Sequence, residues 1–374
     1  MELYKNIVNK ISTPAEKKTK QKEYHQKGLY PIIDQGQSLI GGYTDDGNKL
    51  LKCDLPVVVF GDHTKCVKYV DFPFCPGADG IKVLRAKENV LPKYLKYLTL
   101  FLTFKIEDKG YARHYQYIEK KEVEIPSIQQ QQLVVMKIEE LFSRIDDGIA
   151  NMVKINTQLD VYRHAVLKDA FKNVSDKKRI KEVSSIVTSG SRGWAKYYSD
   201  NGKARFIRIT DLTRDRICLK NGDIQYLDLP ENVEGKRSRL NENDVLVSIT
   251  ADLGSIALVP HDIGEAYINQ HIAMIRFNNA TQGKLMSYYL KSDYGQKDLL
   301  KNKRGGGKLG LGLDDIRNAF VPDITDEKAK EIVDEIESRF SVCEDIVKMV
   351  NETMAKAKGL RQSILKQAFE GGLV

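Results

Sequence analysis

Cysteine is scarce in this sequence. Five thiols, Cys53, Cys66, Cys75, Cys218 and Cys343, are spread over 374 residues, and no two are spaced as CxxC. That pattern excludes a disulfide framework and a zinc ribbon, and it fits a reducing cytoplasm. Tryptophan occurs once, as Trp194. No apolar run approaches the ~18 residues a membrane helix needs, so no membrane association is expected. The opening stretch Met1-Glu2-Leu3-Tyr4-Lys5-Asn6 has no apolar core, and a secretory signal is not expected either.

Enzyme signatures are also missing. Gly305-Gly306-Gly307-Lys308-Leu309-Gly310 spells GxGxxG, but it follows Lys301-Asn302-Lys303-Arg304 rather than an apolar strand. Lys308 is followed by Leu309, not Ser or Thr, so this is not a P-loop. A basic, glycine-rich loop that approaches phosphates and an ordinary surface loop both fit it. Gly61-Asp62-His63 has no second His or Cys at ligand spacing and no GxSxG beside it, and reads as a strand-end turn. Glu234-Gly235-Lys236 is half of a nuclease ExK pattern without the proline–aspartate strand that should precede it. No Asn- or Asp-Pro-Pro-aromatic motif marks a methyl-transfer centre. No catalytic residue, metal site or cofactor is therefore expected within this chain.

What is present is positive charge, unevenly placed. The chain carries 59 Lys+Arg against 51 Asp+Glu, a net charge of +8. Residues 1–125 hold net +5, 126–172 net zero, 173–321 net +6 and 322–374 net −3. Two basic blocks suit two contacts with a polyanion such as DNA, although excesses of this size alone decide nothing.

The neutral and acidic segments are the same pattern twice. Residues 129–171 and 328–369 align at a constant offset of 198, through Ile138/Ile336, Glu139/Glu337, Phe142/Phe340, Arg163/Arg361, Leu167/Leu365 and Phe171/Phe369. Each follows an apolar residue and a proline, Ile125-Pro126 or Val321-Pro322, and neither contains a proline inside. The first carries a 4-3 spacing through Ile138, Phe142, Ile145, Ile149, Met152, Asn156, Leu159 and Arg163. The second carries it through Ile336, Phe340, Cys343, Val347, Val350, Met354, Ala357 and Arg361. A 3.5-residue repeat over four heptads predicts a coiled-coil seam. Some 40 residues at ~1.5 Å rise make a helix of about 60 Å. Asn156 and the two arginines are polar seam positions that fix register.

The blocks between are related more weakly. Tyr30-Pro31-Ile32-Ile33 matches Phe206-Ile207-Arg208-Ile209, and Val57–Asp62 matches Val247–Asp252. Gly80–Leu84 matches Ala273–Phe277. These are short Val- and Ile-rich runs between Gly, Asp and Asn turns, which predict strands. The plan is α+β: a first block over 1–125, a long helix over 126–172, a second block over 173–321 and a second long helix over 322–374.

This ordered set resembles the DNA-specificity subunit of type I restriction–modification enzymes. The resemblance runs over essentially the whole chain. It rests on Tyr30–Gln37, Val57–Asp62 and Gly77-Ala78-Asp79-Gly80 in the first block, and on Trp194, Phe206–Leu212, Asp244–Leu253 and Asn269-Gln270-His271 in the second. The helices ending Leu167-Lys168-Asp169-Ala170-Phe171 and Leu365-Lys366-Gln367-Ala368-Phe369 complete it. One departure is the absence of Trp from Thr13–Tyr24, where the second copy has Trp194.

The resemblance implies two pseudo-symmetric mixed α/β target-recognition domains, separated by two long helices that form an antiparallel coiled coil. Each domain would read one half of a bipartite site in double-stranded DNA. The helices would set the spacer and dock two methyltransferase subunits, which would carry S-adenosylmethionine. Motor-nuclease subunits would complete the restriction complex, in a bacterial or archaeal cytoplasm. The chain would itself be non-catalytic. A methylation-only or other phage-defence system, and a coiled-coil scaffold that does not bind DNA, are the alternatives. A nuclease using Glu234 is a third.

Base reading needs polar side chains on groove-facing loops, with Tyr and Trp in stacking or wedge roles. In the first block those positions are Gln35, Gln37, Tyr43, His63, Arg113 and Tyr115. In the second they are Trp194, Tyr197, Tyr198, Arg208, Thr210, Asp211, Gln270, Arg304 and Lys308. Trp194 equally suits the domain core, and Arg208 equally suits a pair with Asp211.

Overall fold

The computed structural model describes every residue except Asp79, Asp108, Lys109, Tyr111, Asn221, Asn232, Glu234, Ala280, Thr281, Gly305–Lys308 and Val374. The candidate Lys308, most of the glycine-rich stretch, and Glu234 lie outside the described residues. The chain forms two compact units. One comprises Met1–Met152 with Asn351–Val374, and the other Val153–Val350.

The first unit is built on an antiparallel sheet in the order Val8–Ile11, Ile81–Ala86, Val57–Gly61, Val67–Val70. The run Val57–Gly61 is apolar at successive positions because both faces of its strand are covered. Val58 and Phe60 join the core that also holds Tyr94, Leu95 and Leu98, while Val57 and Val59 join the core under Ile33 and Phe74. A smaller sheet runs Gly42–Thr44, Tyr30–Ile33, Cys75–Pro76, with the last two strands parallel. Helix Pro92–Phe104 starts on a proline at its first turn, where the missing N–H is not needed.

The second unit repeats this plan. Its main sheet runs Ser184–Ser189, Ile272–Phe277, Val245–Ser248, Ile256–Leu258, again all antiparallel. Val245 and Val247 face one core, and Leu246 faces another. In the smaller sheet Ala204–Ile207 pairs antiparallel with Gln225–Leu227 on one side and parallel with Ala266–Ile268 on the other. The added edge strand Tyr198–Ser199 is peculiar to this copy among the described residues.

The long helices span Ile128–Phe171 and Asp326–Glu370. Ser127 and Gln130 form a capping box on the first: the Ser127 hydroxyl accepts from the Gln130 N–H, and Gln130 Oε1 accepts from the Ser127 N–H. Thr325 accepts from the Lys328 N–H at the start of the second. All fifteen seam positions named from Ile138 to Arg163 and from Phe340 to Arg361 are buried or half-buried, among them Ile145, Leu159, Arg163 and Val350.

Within the first unit, Ile138, Phe142, Ile145 and Ile149 of the first helix share a core with Ala357, Ile364, Leu365 and Ala368 of the second. Within the second unit, Val166, Leu167 and Phe171 share a core with Ile332, Val333 and Ile336. In both cases the early half of one helix or the late half of its mate is paired with the opposite half, so the helices run antiparallel. The boundary between units falls inside the helices, not at their ends. A helix with a narrow seam has no core of its own and joins the head against which it is packed.

The repeat reaches individual contacts. Tyr97 meets Phe142 edge-on at 5.8 Å in the first unit, and Tyr288 meets Phe340 edge-on at 5.7 Å in the second. Lys93 pairs with Glu139 at 2.9 Å, and Lys284 pairs with Glu337 at 2.7 Å. Each head therefore docks on its helices through the same apolar edge and the same ion pair.

Candidate nucleic-acid interface

In the second unit the strand Ala204–Ile207 leads into a single 3-10 turn, Ile209–Asp211. Asp211 closes that turn by accepting from the Arg208 N–H at 2.7 Å. The Arg208 guanidinium rests on Asp211 at 3.4 Å and donates to the Asp223 carbonyl at 2.7 Å. Its Nε is buried without a hydrogen-bond partner. Thr210 is exposed, and its carbonyl accepts from Lys220 Nζ at 2.7 Å. These side chains line an open cleft of ≈ 800 Å³ together with Arg205, Thr213, Arg216, Lys220 and Ile224. A cleft with forked cations and hydroxyls on one wall can accept phosphate oxygens and base edges.

In the first unit the polar concavity lies elsewhere in the repeat, beside the main sheet: a cleft of ≈ 520 Å³ lined by Lys10, Ser12, Thr13, Lys18, His63, Lys82 and Arg113. His63 Nδ1 is 3.2 Å from the Ala112 carbonyl, which ties the 112–114 loop to the end of strand Val57–Gly61. Asp62 is buried and pairs with Lys82 at 3.3 Å. It also accepts from the Tyr115 N–H at 2.9 Å. Gln35 lies behind His63: its Oε1 accepts from the His63 N–H at 3.3 Å, and its carbonyl accepts from the Thr64 hydroxyl at 2.6 Å. Gly61 must be glycine here, because a Cβ would fall 2.4 Å from Thr64 Oγ1 and 2.9 Å from Gln35 Cβ.

The structure brings some sequence-predicted positions together and separates others. His63 and Arg113 share the first cleft, and Arg208, Thr210 and Asp211 share the second. Gln37 is exposed on the loop after Tyr30–Ile33. Tyr43 is half-buried on strand Gly42–Thr44, where its backbone pairs with His25. Neither lines the first cleft.

Two aromatic positions turn out to be core. Tyr115 is 5% exposed and packs beside Phe60; burial pushes its hydroxyl up to about 12. Trp194 is 5% exposed, stacked on Phe206 and edge-on to Tyr267 at 5.2 Å. Both side chains are held inside their heads. Arg208 is paired with Asp211, as described above.

The remaining positions are scattered. Tyr198 is 44% exposed, Tyr197 is half-buried with Lys196 over its ring, and Gln270 contacts the His271 ring at 3.1 Å. Arg304 is exposed and pairs with Asp315 at 3.3 Å. None of these four lines the ≈ 800 Å³ cleft.

Sequence reading missed Lys10, Lys82, Arg205, Arg216 and Lys220. Lys10 and Lys82 lie on neighbouring strands of the main sheet, where alternation places a lysine at a rim. Arg216 and Lys220 sit on a loop with no periodic signal. Among the described residues, no group of His, Cys, Asp and Glu is arranged to hold a metal ion, and no helix is long and apolar enough to cross a membrane.

Residues 174–352 match the Type I restriction modification DNA specificity domain. The specificity subunit of the type I restriction enzyme EcoBI from Escherichia coli is 25% identical over 280 residues, covering 67% of this chain and 58% of that protein. That of EcoKI from Escherichia coli K12 is 25% identical over 272 residues, covering 67% of this chain and 57% of that protein. The matched segment thus spans less than two thirds of these relatives' own length. Among solved structures, a chain from a type I R-M system studied for its assembly and conformational transition is 17% identical. It superposes with a TM-score of 0.69 over 100% of this chain and 97% of that one. The HsdS subunit from Thermoanaerobacter tengcongensis is 18% identical and reaches 0.53 over 99% and 96%. These two likenesses concern the fold.

Proposed function

We propose, from the premise that the chain belongs to the type I restriction–modification DNA-specificity family, that it reads a bipartite sequence in double-stranded DNA. Each unit would read one half-site. The two long helices would set the unspecified spacer and dock two methyltransferase subunits. Those partners would hold S-adenosylmethionine and take the target adenine out of the stack, and motor-nuclease subunits would join in the full complex. This chain would catalyse nothing itself.

The observation that carries this reading is one scaffold used twice with different polar clefts. Strand order and helix docking repeat, down to Lys93–Glu139 and Lys284–Glu337. The polar clefts do not repeat in place or lining: one, with Lys10, Thr13, His63 and Arg113, lies beside the first unit's main sheet, and the other, with Arg205, Arg208, Thr210 and Arg216, beside the second unit's smaller sheet. Two equal frames with unequal reading edges suit two different half-sites. A coiled coil suits the spacer, because half-site separation is a geometric quantity.

The test is equilibrium binding of the full chain to duplex DNA at several salt concentrations. The logarithm of the binding constant should fall linearly with the logarithm of salt concentration, losing about 0.9 of slope for each phosphate neutralised. Absence of salt-sensitive binding, for the chain alone and with its methyltransferase partner, would reject the reading.

A further inference from the structure

Lysine is among the residues least often fully buried, yet Lys291 is 9% exposed at the end of helix Gln282–Lys291. Its neighbours in that helix, Leu290 and Tyr289, are apolar core residues. Its ammonium leaves the core in one direction and donates to the backbone carbonyl of Arg214. Arg214 lies on the 212–224 segment, which joins the Ile209–Asp211 turn to strand Gln225–Leu227.

That segment forms a wall of the ≈ 800 Å³ cleft through Thr213, Asp215, Arg216, Cys218 and Lys220. A second cavity, of ≈ 220 Å³, is also lined by this segment, through Arg214 and Asp215, together with Asp160, Arg163, Lys291 and Phe340. The wall therefore borders two cavities. Its end near residues 219–224 is tied back to Arg208, Thr210 and Asp211, and its 213–218 stretch is held by other bonds. The Arg214 guanidinium grips Asp252, the Ile217 carbonyl accepts from the Leu258 N–H at 2.6 Å, and Lys291 holds the Arg214 carbonyl. The first two ties run to the sheet side. Lys291 bonds the stretch to the helical layer, against which Ile217 also packs.

We propose that Lys291 is a specificity-positioning residue: it fixes the 213–218 wall of the second unit's cleft, and through that wall the placement of Arg216 and Thr213 against DNA. The inference rests on the DNA-reading assignment of that cleft. Lys291 itself touches no DNA. It acts by setting where the wall stands, which a buried charge-assisted bond does better than apolar packing against a carbonyl. Burial pushes its ammonium down to about 8, so the tie is charged at neutral pH and becomes an ordinary neutral bond in mild alkali. Asp215 on the wall works against that shift and Arg214 with it, while Asp160, Arg163 and His164 face the same cavity from the long helix.

The experiment is selection of the full chain against a pool of randomised duplexes, comparing wild type, Lys291→Met, Lys291→Arg and Arg208→Ala. Lys291→Met removes a buried charge from an apolar helix face and should fold, as near-ultraviolet circular dichroism will show. Wild type should enrich a two-part motif. Lys291→Met should blur one half, with about tenfold weaker enrichment there, and leave the other intact. Arg208→Ala should blur the same half, and Lys291→Arg should restore it. Wild type alone should lose part of that half between pH 7 and pH 9, whereas Lys291→Arg should not.

An unchanged two-part motif in folded Lys291→Met would overturn the proposal while leaving the DNA reading standing. Blurring of both halves equally would also overturn it, since a general loss of stability is not selective. No motif from wild type would defeat the DNA reading itself, and this proposal with it.

Discussion

The guanidinium of Arg361 lies over the ring of Phe142, 5.1 Å from its centroid, and grips Asp146 from the same position. The equivalent residues 198 positions away are Arg163 and Phe340, which line one cavity of the second unit. There the partner is different. Arg163 reaches Asp160 on its own helix at 3.3 Å, and its second terminal nitrogen is buried without a partner. The repeat thus keeps an arginine and an aromatic at the equivalent seam positions and changes the acid that holds the arginine.

Arg361→Met should lower stability by about 1 kcal/mol, the size of a half-exposed cation–π contact with a screened ion pair. A double-mutant cycle with Phe142→Leu, read by urea denaturation, should return a coupling of about 0.5–1 kcal/mol. Strict additivity would mean that the ring contributes nothing to holding the arginine.

Arg208→Ala and Arg113→Ala should each weaken DNA binding by about 1–3 kcal/mol if they read bases, and each should blur only its own half-site. Lys220→Ala and Lys10→Ala should weaken binding across sequences and reduce the salt slope by about 1 each. Binding curves on duplexes with one half scrambled separate the two classes. Uniform weakening from Arg208→Ala would return that side chain to a structural role beside Asp211.

Much of the frame was legible before any coordinates. The long helices show in the 3.5-residue repeat, because a narrow seam forces apolar residues to a fixed period. The strands show as Val- and Ile-rich runs, and the duplication shows at an offset of 198. The clefts were less legible. Trp194 and Tyr115 have the chemistry of stacking residues, but sequence does not say which way a ring points, and both point inward. Asp211 and Arg208 sit three apart, a spacing that suits a mutual pair as well as a reading edge. Lys291 was invisible, since a lysine after Tyr288-Tyr289-Leu290 reads as the polar end of a helix.

Lys291 also gives the fold a pH signature. Its folded value, near 8, lies below the ordinary 10.5. Between those values the unfolded chain binds the proton and the folded chain does not, so unfolding free energy rises with pH across that window. The gain should be about 3 kcal/mol from pH 7.5 to 10.5, less what other groups remove. Lys291→Met should be more stable than wild type at pH 7.5 and should lose this slope. Urea midpoints at both pH values for the two proteins decide it. A wild-type slope retained in Lys291→Met would assign it to another group.

Insertion of seven residues into each long helix should preserve the seam register and lengthen the rod by about 10 Å. At ~3.4 Å per base pair the spacer should grow by about three base pairs, with both half-sites unchanged. An unchanged spacer in a complex that still assembles would count against the ruler.

The most direct test of the account is a base-resolution map of adenine methylation in DNA from cells that express this chain with the proposed methyltransferase partner, set against cells lacking the chain. The account predicts a two-part motif with a fixed spacer that appears only when the chain is present. Verified expression and assembly without such a motif would contradict it.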